Sequence, residues 1–341
     1  MTIHRFRCAA ALSLACAMPA LAQTVQDLRL PLEPGVALAA TLRTPVGHGP
    51  GPYPVVILIP GSGPSRRGVF SLLAERLLAR GIATFDYDKR GVGASGGSFV
   101  DSIATDRKDG AAAIAWLRTR PELDGRRIAV LGMSQGGVVA PALAARDPDI
   151  AAVVTLAGPV GARSEAFMAG LRARLSEAGK SAEQVETIAA AVRQWMEART
   201  RSEGVGTLAG LRDAAGAAFV AGGATPEQAR GMLAVLDTPL LLSMYEAAPA
   251  EDLARIRVPV LALFAAEDQV IGAASIPAAR RALADNPGAR VLEVARVNHV
   301  FQRVDVDGAV GEARPAASAP EVLALVPEWL EGRLGPTGGQ P

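Results

Sequence analysis

The chain has 341 residues, half of them hydrophobic, and a formal net charge of +1 at pH 7. This length allows a large buried core, so one α/β domain with an insertion and two separate domains both fit it. With no basic stripe and no acidic tail, the sequence lacks the usual signature of a nucleic-acid-binding protein. Beyond the first residues, no stretch is long and apolar enough to predict a transmembrane segment.

The first 22 residues have the pattern of a secretory signal peptide. Arg5 and Arg7 form a basic start, residues 8–18 form a short apolar stretch, and Ala20 and Ala22 give a small-x-small cleavage site. We therefore expect cleavage after Ala22 and a periplasmic or secreted protein.

The two cysteines of the chain, Cys8 and Cys16, both lie in this leader. The exported protein would then hold no cysteine nucleophile and no cysteine-based metal site. Acylation of Cys16 as a lipoprotein is the weaker alternative, because the residues before it match the lipidation pattern poorly.

Apolar strands alternate with helices through the first half of the chain. Alternating residues at 28–32 and 37–44, around the turn at Pro34 and Gly35, predict an N-terminal hairpin. The strands that follow are predicted at 55–59, 82–85, 128–131 and 152–156, and the helices at 69–80, 105–119 and 137–146. Strands that are apolar on both faces and separated by helices are typical of a mostly parallel sheet with helices on both faces.

Only helical patterns occur between residues 163 and 249, where Ser181 and Thr225 begin capping boxes. The sheet pattern then resumes, with strands predicted at 258–264 and 290–294 and helices at 276–284 and 321–334. Because sheet elements flank the helical block, we expect a cap inserted into one sheet. The expected division is a leader at 1–22, a core at 23–162 and 250–335, a helical cap at 163–249 and a disordered tail at 336–341.

The most informative motif is the Gly-x-Ser-x-Gly sequence formed by Gly132, Ser134 and Gly136. A serine at a strand-to-helix corner adopts a strained backbone conformation that exposes its hydroxyl. The flanking glycines avoid a collision across the tight turn. Such triplets also occur in ordinary turns, but an apolar strand precedes this one and a helix follows it. We therefore predict Ser134 as a nucleophile.

A serine hydroxyl needs a neighbouring base to become a good nucleophile. The chain has three histidines: His4 lies in the leader, His48 lies in a Gly/Pro loop, and His299 follows the last predicted strand. Elimination therefore favours His299 as the base for Ser134.

The third group should be a carboxylate that orients the imidazole. Asp268 follows the strand predicted at 258–264. The carboxyl ends of parallel strands share one edge of a sheet, so this loop should lie beside Ser134. The chain order Ser, Asp, His is that of the α/β hydrolases. Glu267 is the alternative acid.

Two backbone N–H groups are needed to stabilise the oxyanion that forms during acyl transfer. One should come from Gln135, the residue after the nucleophile, and the other from the loop at 60–64. Ser62 is our predicted donor in this loop. Gly61 and Gly63 would let the backbone approach a bound substrate. These two glycines could also simply make a turn.

Together these motifs resemble the α/β-hydrolase superfamily, and in particular bacterial exported hydrolases of the serine-aminopeptidase-like and dienelactone-hydrolase-like groups. The motifs that carry the resemblance lie at 61–64, 88–95, 116–122, 132–137, 259–261, 268–270 and 298–302. The resemblance implies an α/β-hydrolase fold, a cap after the sixth strand, and a triad of Ser134, Asp268 and His299.

The chain departs from these relatives at three positions. Met133 stands where many members have histidine, Gln135 where they often have glutamate, and Ala265 where glycine is common. None of these changes removes a catalytic group. The first two would alter the pocket wall beside the nucleophile, so we count Met133 among the substrate-binding residues.

The leading functional hypothesis is a serine hydrolase that cleaves small carboxylic esters through an acyl-enzyme, without a metal or organic cofactor. The same triad could cleave short peptides, in which case an acidic side chain such as Glu165 or Glu246 should hold the substrate's ammonium. Acyl transfer to an alcohol or amine is a third possibility. A non-catalytic binding protein on a hydrolase fold is a distant fourth. The sequence does not indicate an oligomeric state.

Overall fold

The computed structural model describes residues 23–304 and 316–335. The predicted leader at 1–22 and the predicted tail at 336–341 lie outside the described residues. Eight strands form one sheet: β1 (Gln23–Glu33), β2 (Val36–Pro45), β3 (Tyr53–Ile59), β4 (Ala83–Tyr87), β5 (Leu123–Met133), β6 (Ala152–Leu156), β7 (Val260–Ala265) and β8 (Arg290–Val294).

The strand order across the sheet is β1-β2-β4-β3-β5-β6-β7-β8. The hairpin of β1 and β2 is antiparallel, and β2 also pairs antiparallel with β4. All other neighbours in the order are parallel. The predicted mostly parallel sheet is therefore confirmed, and the carboxyl ends of β3 to β8 lie along one edge.

Side chains alternate between two hydrophobic clusters, one on each face of this sheet. On β3, Val55 and Ile57 pack in the first cluster and Val56 and Leu58 in the second. The helices of the sheet region are α1 (Ser71–Leu78), α2 (Ile103–Leu117), α3 (Gln135–Ala144), α9 (Pro249–Arg255), α10 (Ser275–Ala282) and α11 (Pro320–Leu334). Residues of α2, α3, α9 and α10 complete the first cluster, and residues of α1 and α11 complete the second. The central strands are apolar throughout because both of their faces are covered.

Five helices lie between β6 and β7: α4 (Glu165–Glu177), α5 (Ala182–Thr200), α6 (Val205–Ala221), α7 (Pro226–Leu236) and α8 (Pro239–Glu246). They enclose a third hydrophobic cluster that contains Trp195, which is 1% exposed. Both predicted capping boxes, at Ser181 and Thr225, are present. The Ser243 hydroxyl on α8 accepts a hydrogen bond from the Ile103 N–H at 3.0 Å, so the helical block contacts the first turn of α2.

Strand β5 begins earlier than the sequence predicts, at Leu123 instead of residue 128. Leu123 pairs with Tyr53 and Ile128 with Val55, and the register shifts between the two pairs. Polar residues fill the intervening segment, so hydrophobic periodicity does not detect the early start. Within the described part of the chain, no helix is long and apolar enough to cross a membrane.

We predict that the central strands contribute far more to stability than the β8 edge does. Leu261 on β7 is fully buried, whereas Leu292 on β8 is 37% exposed. Leu261→Ala should lower the free energy of unfolding by about 2–5 kcal/mol, because it leaves a cavity between packed layers. The matched control Leu292→Ala should cost about 1 kcal/mol or less. Urea unfolding followed by circular dichroism measures both, and equal losses would contradict this view of the core.

Candidate active site

Ser134 lies at the corner between β5 and α3 with φ of 54° and ψ of −118°. This positive φ is unfavourable for a residue with a side chain and is typical of a nucleophile elbow. A Cβ atom at Gly132 would lie 1.9 Å from the carbonyl oxygen of Gly136, and one at Gly136 would lie 2.3 Å from that of Ile59. Both glycines are therefore required by sterics at this corner.

The structure brings the predicted Ser134, His299 and Asp268 together at the carboxyl edge of the sheet. The distance from His299 Nε2 to Ser134 Oγ is 3.0 Å. On the other side of the ring, His299 Nδ1 lies 2.8 Å from Asp268 Oδ2 and 3.0 Å from Asp268 Oδ1. The side chains of Asp268 and His299 are 5% and 17% exposed, so the carboxylate is shielded while the imidazole keeps an open side.

The turn after β7 holds the Asp268 carboxylate in place. Its Oδ1 atom accepts hydrogen bonds from the N–H groups of Val270 and Ile271, at 2.8 and 2.9 Å. These two amides come from the same turn, so the carboxylate is oriented before it meets the imidazole. Hydrogen bonds to an ionised acceptor are among the stronger ones in proteins.

The loop that carries His299 is fixed from two sides. The Asn298 Oδ1 atom accepts hydrogen bonds from the N–H groups of Val300 and Gln302, which closes a tight turn around His299. Phe301 is fully buried, and its carbonyl accepts a hydrogen bond from the Ala319 N–H just before α11. The imidazole is thus placed by its neighbours in sequence and by the last helix.

His48 lies far from this arrangement. Its Nδ1 atom would be 3.0 Å from a Cβ at Gly81, the residue two positions before β4. This is the amino end of the parallel strands, opposite to the edge that carries Ser134. Its position therefore agrees with the sequence argument, which set His48 aside as a base for Ser134.

The loop predicted to stabilise an oxyanion lies against the nucleophile. A Cβ at Gly61 would be 3.3 Å from the Ser134 Cβ, so the backbone there passes directly beside the serine. The Gly63 N–H donates to Asp101 Oδ2 at 2.9 Å, and this amide is therefore engaged. The role of the Ser62 N–H in this loop stays a prediction.

The two residues on either side of Ser134 have different environments. Met133 is 5% exposed and packs in the hydrophobic cluster under α1 and α11. The Gln135 N–H belongs to the first residue of α3, where helix N–H groups have no partner within the helix. The Gln135 side chain is buried and donates to Asp106 Oδ2 at 2.9 Å. The roles predicted for Met133 and Gln135 stay predictions.

Sequence analysis missed a buried group of charges beside this site. Lys89 is 3% exposed, and its Nζ atom lies 2.8 Å from Asp106 Oδ2 and 3.9 Å from Asp101 Oδ1. The position of Lys89, two residues after the end of β4, is a signal that could have been noticed, because this strand ends at the edge that carries Ser134. Nothing in the sequence pairs it with Asp101 or Asp106.

Burial raises the pKa of Asp106 to about 6, although the Lys89 ammonium acts in the opposite direction. The carboxylates of Asp101 and Asp109 add to the rise in this pKa. Asp109 itself forms a 2.6 Å ion pair with Arg90. That pair joins the glycine-rich turn after β4 to α2.

Among the described residues, no cluster of three or more His, Cys, Asp or Glu side chains has the arrangement of a metal site. A hydroxyl within hydrogen-bond distance of an imidazole, which is itself bound to a carboxylate, is the arrangement required for acyl transfer.

The fold is that of an α/β hydrolase. The chain belongs to the X-Pro dipeptidyl-peptidase (S15) family, whose model matches residues 34–299. The α/β-hydrolase superfamily predicted from the sequence motifs is thereby confirmed.

One curated relative is the quorum-quenching protein AidA of Acinetobacter baumannii, which is 35% identical over 105 residues. This alignment spans 30% of the present chain and only 34% of AidA. Among solved structures, the Pyrococcus furiosus esterase Pf2001 has a TM-score of 0.55 at 16% identity, over 92% of this chain and 93% of its own. The α/β hydrolase GrgF from Penicillium sp. has a TM-score of 0.55 at 16% identity, over 91% of this chain and 99% of its own. The structural similarities establish the fold.

The raised pKa of Asp106 predicts a specific pH dependence of stability. Its pKa in the folded state is about 6, against an ordinary value of 3.8. Between these two values the native protein binds more protons at Asp106 than the unfolded chain does, so its contribution to the free energy of unfolding falls as pH rises. The stability of the wild type relative to Asp106→Asn should therefore decrease between pH 4.5 and about 6 and then level off.

Asp124→Asn is the control for this titration. Partial burial acts to raise the pKa of Asp124, but hydrogen bonds from the Arg126 N–H and the Arg127 side chain outweigh it and lower this pKa. The contribution of Asp124 to the free energy of unfolding is lost only at lower pH. The stability difference between the wild type and Asp124→Asn should therefore be flat over the same pH range. Urea unfolding at several pH values measures both. A flat or rising difference for Asp106→Asn would contradict its raised pKa.

Proposed function

We propose that this protein is a serine hydrolase that cleaves carboxylic esters through an acyl-enzyme intermediate. Ser134 is the nucleophile, His299 the general base and acid, and Asp268 the group that orients the imidazole. The observation that carries the proposal is the continuous contact from Ser134 Oγ to His299 Nε2 at 3.0 Å and from His299 Nδ1 to Asp268 Oδ2 at 2.8 Å. The similarity to the fold of an esterase supports it further.

In the first half of the reaction, Ser134 Oγ attacks the ester carbonyl carbon while His299 Nε2 takes its proton. The resulting oxyanion would accept hydrogen bonds from the N–H groups of Gln135 and Ser62. Asp268 accepts the Nδ1–H and stabilises the imidazolium. Collapse of the tetrahedral intermediate breaks the bond to the alcohol, which leaves with the proton from His299.

In the second half, His299 removes a proton from water, which attacks the acyl group on Ser134. The second tetrahedral intermediate collapses to the free acid and restores the serine hydroxyl. Side chains and backbone amides supply each of these steps, so the proposal includes no metal or organic cofactor. Its substrate is a small ester.

Cleavage of peptides after X-Pro is the second candidate, favoured by the match of residues 34–299 to the X-Pro dipeptidyl-peptidase family. Such a substrate presents an ammonium group that needs a carboxylate. Glu165 of the helical block is paired with Arg193 at 3.2 Å, so its charge is already engaged. Glu246 is exposed at the end of α8. We rank the ester first because the Glu165 carboxylate has a cationic partner of its own.

We also propose that the protein is exported and that residues 163–249 act as a cap over the site. The signal-like sequence of residues 1–22 supports export. The contact between Ser243 and Ile103 supports the cap, because it joins the helical block to the turn that follows Asp101.

Replacing Ser134 or His299 should abolish hydrolysis. Ser134→Ala and His299→Ala should each lower kcat for p-nitrophenyl acetate by about 10³-fold or more, because the residues of a triad act as a unit. A fluorophosphonate probe should label the wild type and not Ser134→Ala. His48→Ala is the matched control, since His48 lies at the opposite end of the strands, and it should keep wild-type activity. Hydrolysis that survives in Ser134→Ala would refute the nucleophile.

The two substrate classes can be compared on one enzyme preparation. We expect kcat/KM for p-nitrophenyl acetate and butyrate to exceed that for alanyl-prolyl-p-nitroanilide by at least about tenfold, which is ~1.4 kcal/mol of transition-state stabilisation. Glu246→Gln should leave ester cleavage unchanged. If only the anilide is cleaved, and Ser134 is needed for it, the peptidase candidate replaces the esterase.

A further inference from the structure

A chain of buried polar contacts joins the two backbone segments that flank the nucleophile. At one end, the Gly63 N–H of the loop after β3 donates to Asp101 Oδ2 at 2.9 Å. At the other, the Gln135 side chain at the start of α3 donates to Asp106 Oδ2 at 2.9 Å. Lys89 lies between the two carboxylates, 2.8 Å from Asp106 and 3.9 Å from Asp101. We call Lys89, Asp101 and Asp106 the bridging cluster.

The bridging cluster connects segments that follow three different strands of the sheet. Lys89 follows β4, and Asp101 and Asp106 lie just before and inside the first turn of α2. Of their two neutral partners, Gly63 lies in the loop after β3 and Gln135 is the first residue of α3. Its ion pair is buried, since Lys89 is 3% and Asp106 is 6% exposed. An unpaired charge at such a place is costly, so the three side chains have to stay together. The segments attached to them are held in register as a result.

The attachment points are the immediate neighbours of the proposed oxyanion donors. The bond from Gly63 N–H to Asp101 fixes the peptide plane next to Ser62. The bond from the Gln135 side chain to Asp106 fixes the residue whose own N–H is the second proposed donor. Oxyanion stabilisation depends on donors that are already in place when the charge develops. A displacement of the loop by a fraction of an ångström would therefore lower kcat more than it weakens substrate binding.

We propose that Lys89, Asp101 and Asp106 are positioning residues for the oxyanion hole of this hydrolase. They hold the loop at 60–64 and the start of α3 at the separation that a tetrahedral intermediate requires. This inference rests on the proposed serine hydrolase function and adds to it three residues that contact neither Ser134 nor His299 in the described hydrogen bonds and ion pairs.

The decisive comparison is between Asp101→Ala and Asp101→Asn. The alanine variant removes the acceptor of the Gly63 N–H, whereas asparagine keeps an oxygen at the same place. We expect Asp101→Ala to lower kcat for p-nitrophenyl acetate about 10- to 100-fold with KM changed less than about twofold, because deletion of a whole donor costs about 10²–10³-fold. Asp101→Asn should stay within about threefold of the wild type.

A tetrahedral inhibitor separates positioning from general damage. Phenylboronic acid forms a tetrahedral adduct on a catalytic serine and places an oxygen where the oxyanion develops. Its inhibition constant should rise in Asp101→Ala by the same factor by which kcat falls, and it should be restored in Asp101→Asn. Lys89→Met should show the same split between kcat and KM. Because Lys89→Met could also fail to fold, Asp101, whose side chain is 20% exposed, provides the primary test.

Asp252→Asn is the matched control for loss of a buried carboxylate. Asp252 is 4% exposed and pairs with Arg146 at 3.0 Å, beyond the far end of α3. It belongs to neither the proposed triad nor the bridging cluster. We expect kcat, KM and boronate inhibition to match the wild type in this variant.

Hydrogen exchange provides a measurement that does not depend on catalysis. The amides of residues 61–63 should exchange faster in Asp101→Ala than in the wild type, Asp101→Asn or Asp252→Asn, since the loop loses its anchor. Unchanged exchange would overturn the inference whether or not the protein is an esterase. Faster exchange with unchanged kcat and boronate inhibition, in an enzyme that Ser134→Ala inactivates, would overturn it as well. A wild type that neither hydrolyses esters nor reacts with fluorophosphonate would instead refute the proposed function.

Discussion

The left-handed backbone at Ser134 is the constraint on which the rest of the site depends. A non-glycine residue with φ of 54° is held there only because its surroundings leave no alternative. The corner is so tight that side chains at Gly132 and Gly136 would overlap main-chain atoms. β3, β5 and α3 are therefore packed backbone to backbone around one hydroxyl, and every other group of the site is placed relative to it.

The parallel sheet determines which groups can reach that hydroxyl. The carboxyl ends of β3, β4, β5, β7 and β8 lie along one edge, and each is followed by a loop that contributes to the site. Asp268 and His299 come from the loops after β7 and β8, on one side of Ser134. Lys89 and Gly61 come from the loops after β4 and β3, on the other side. The imidazole and carboxylate on one side and the bridging cluster on the other thus approach Ser134 from opposite directions.

Two buried carboxylates at this edge lie against charged or polar partners. The Asp268 carboxylate binds two backbone amides and an imidazole, and Asp106 binds an ammonium and a side-chain amide. Burying a charge without such partners costs on the order of several kcal/mol per ion. These contacts restrain the loops, and oxyanion stabilisation requires donors that are held in place. The same interactions therefore contribute to both stability and the proposed chemistry.

The sequence predicts the strands and most of the helices, because these depend on local pattern. It also singles out Ser134, Asp268 and His299 as candidate site residues. Apolar runs separated by helices indicate a parallel sheet, a Gly-x-Ser-x-Gly corner indicates an elbow, and only one histidine follows a late strand. The early start of β5 at Leu123 and the bridging cluster could not be predicted in this way. The first depends on pairing with Tyr53 across an irregular register. The second depends on contacts among Lys89, Asp101, Asp106 and Gln135. These residues are far apart in the chain and meet only when the sheet has brought β3, β4 and β5 side by side.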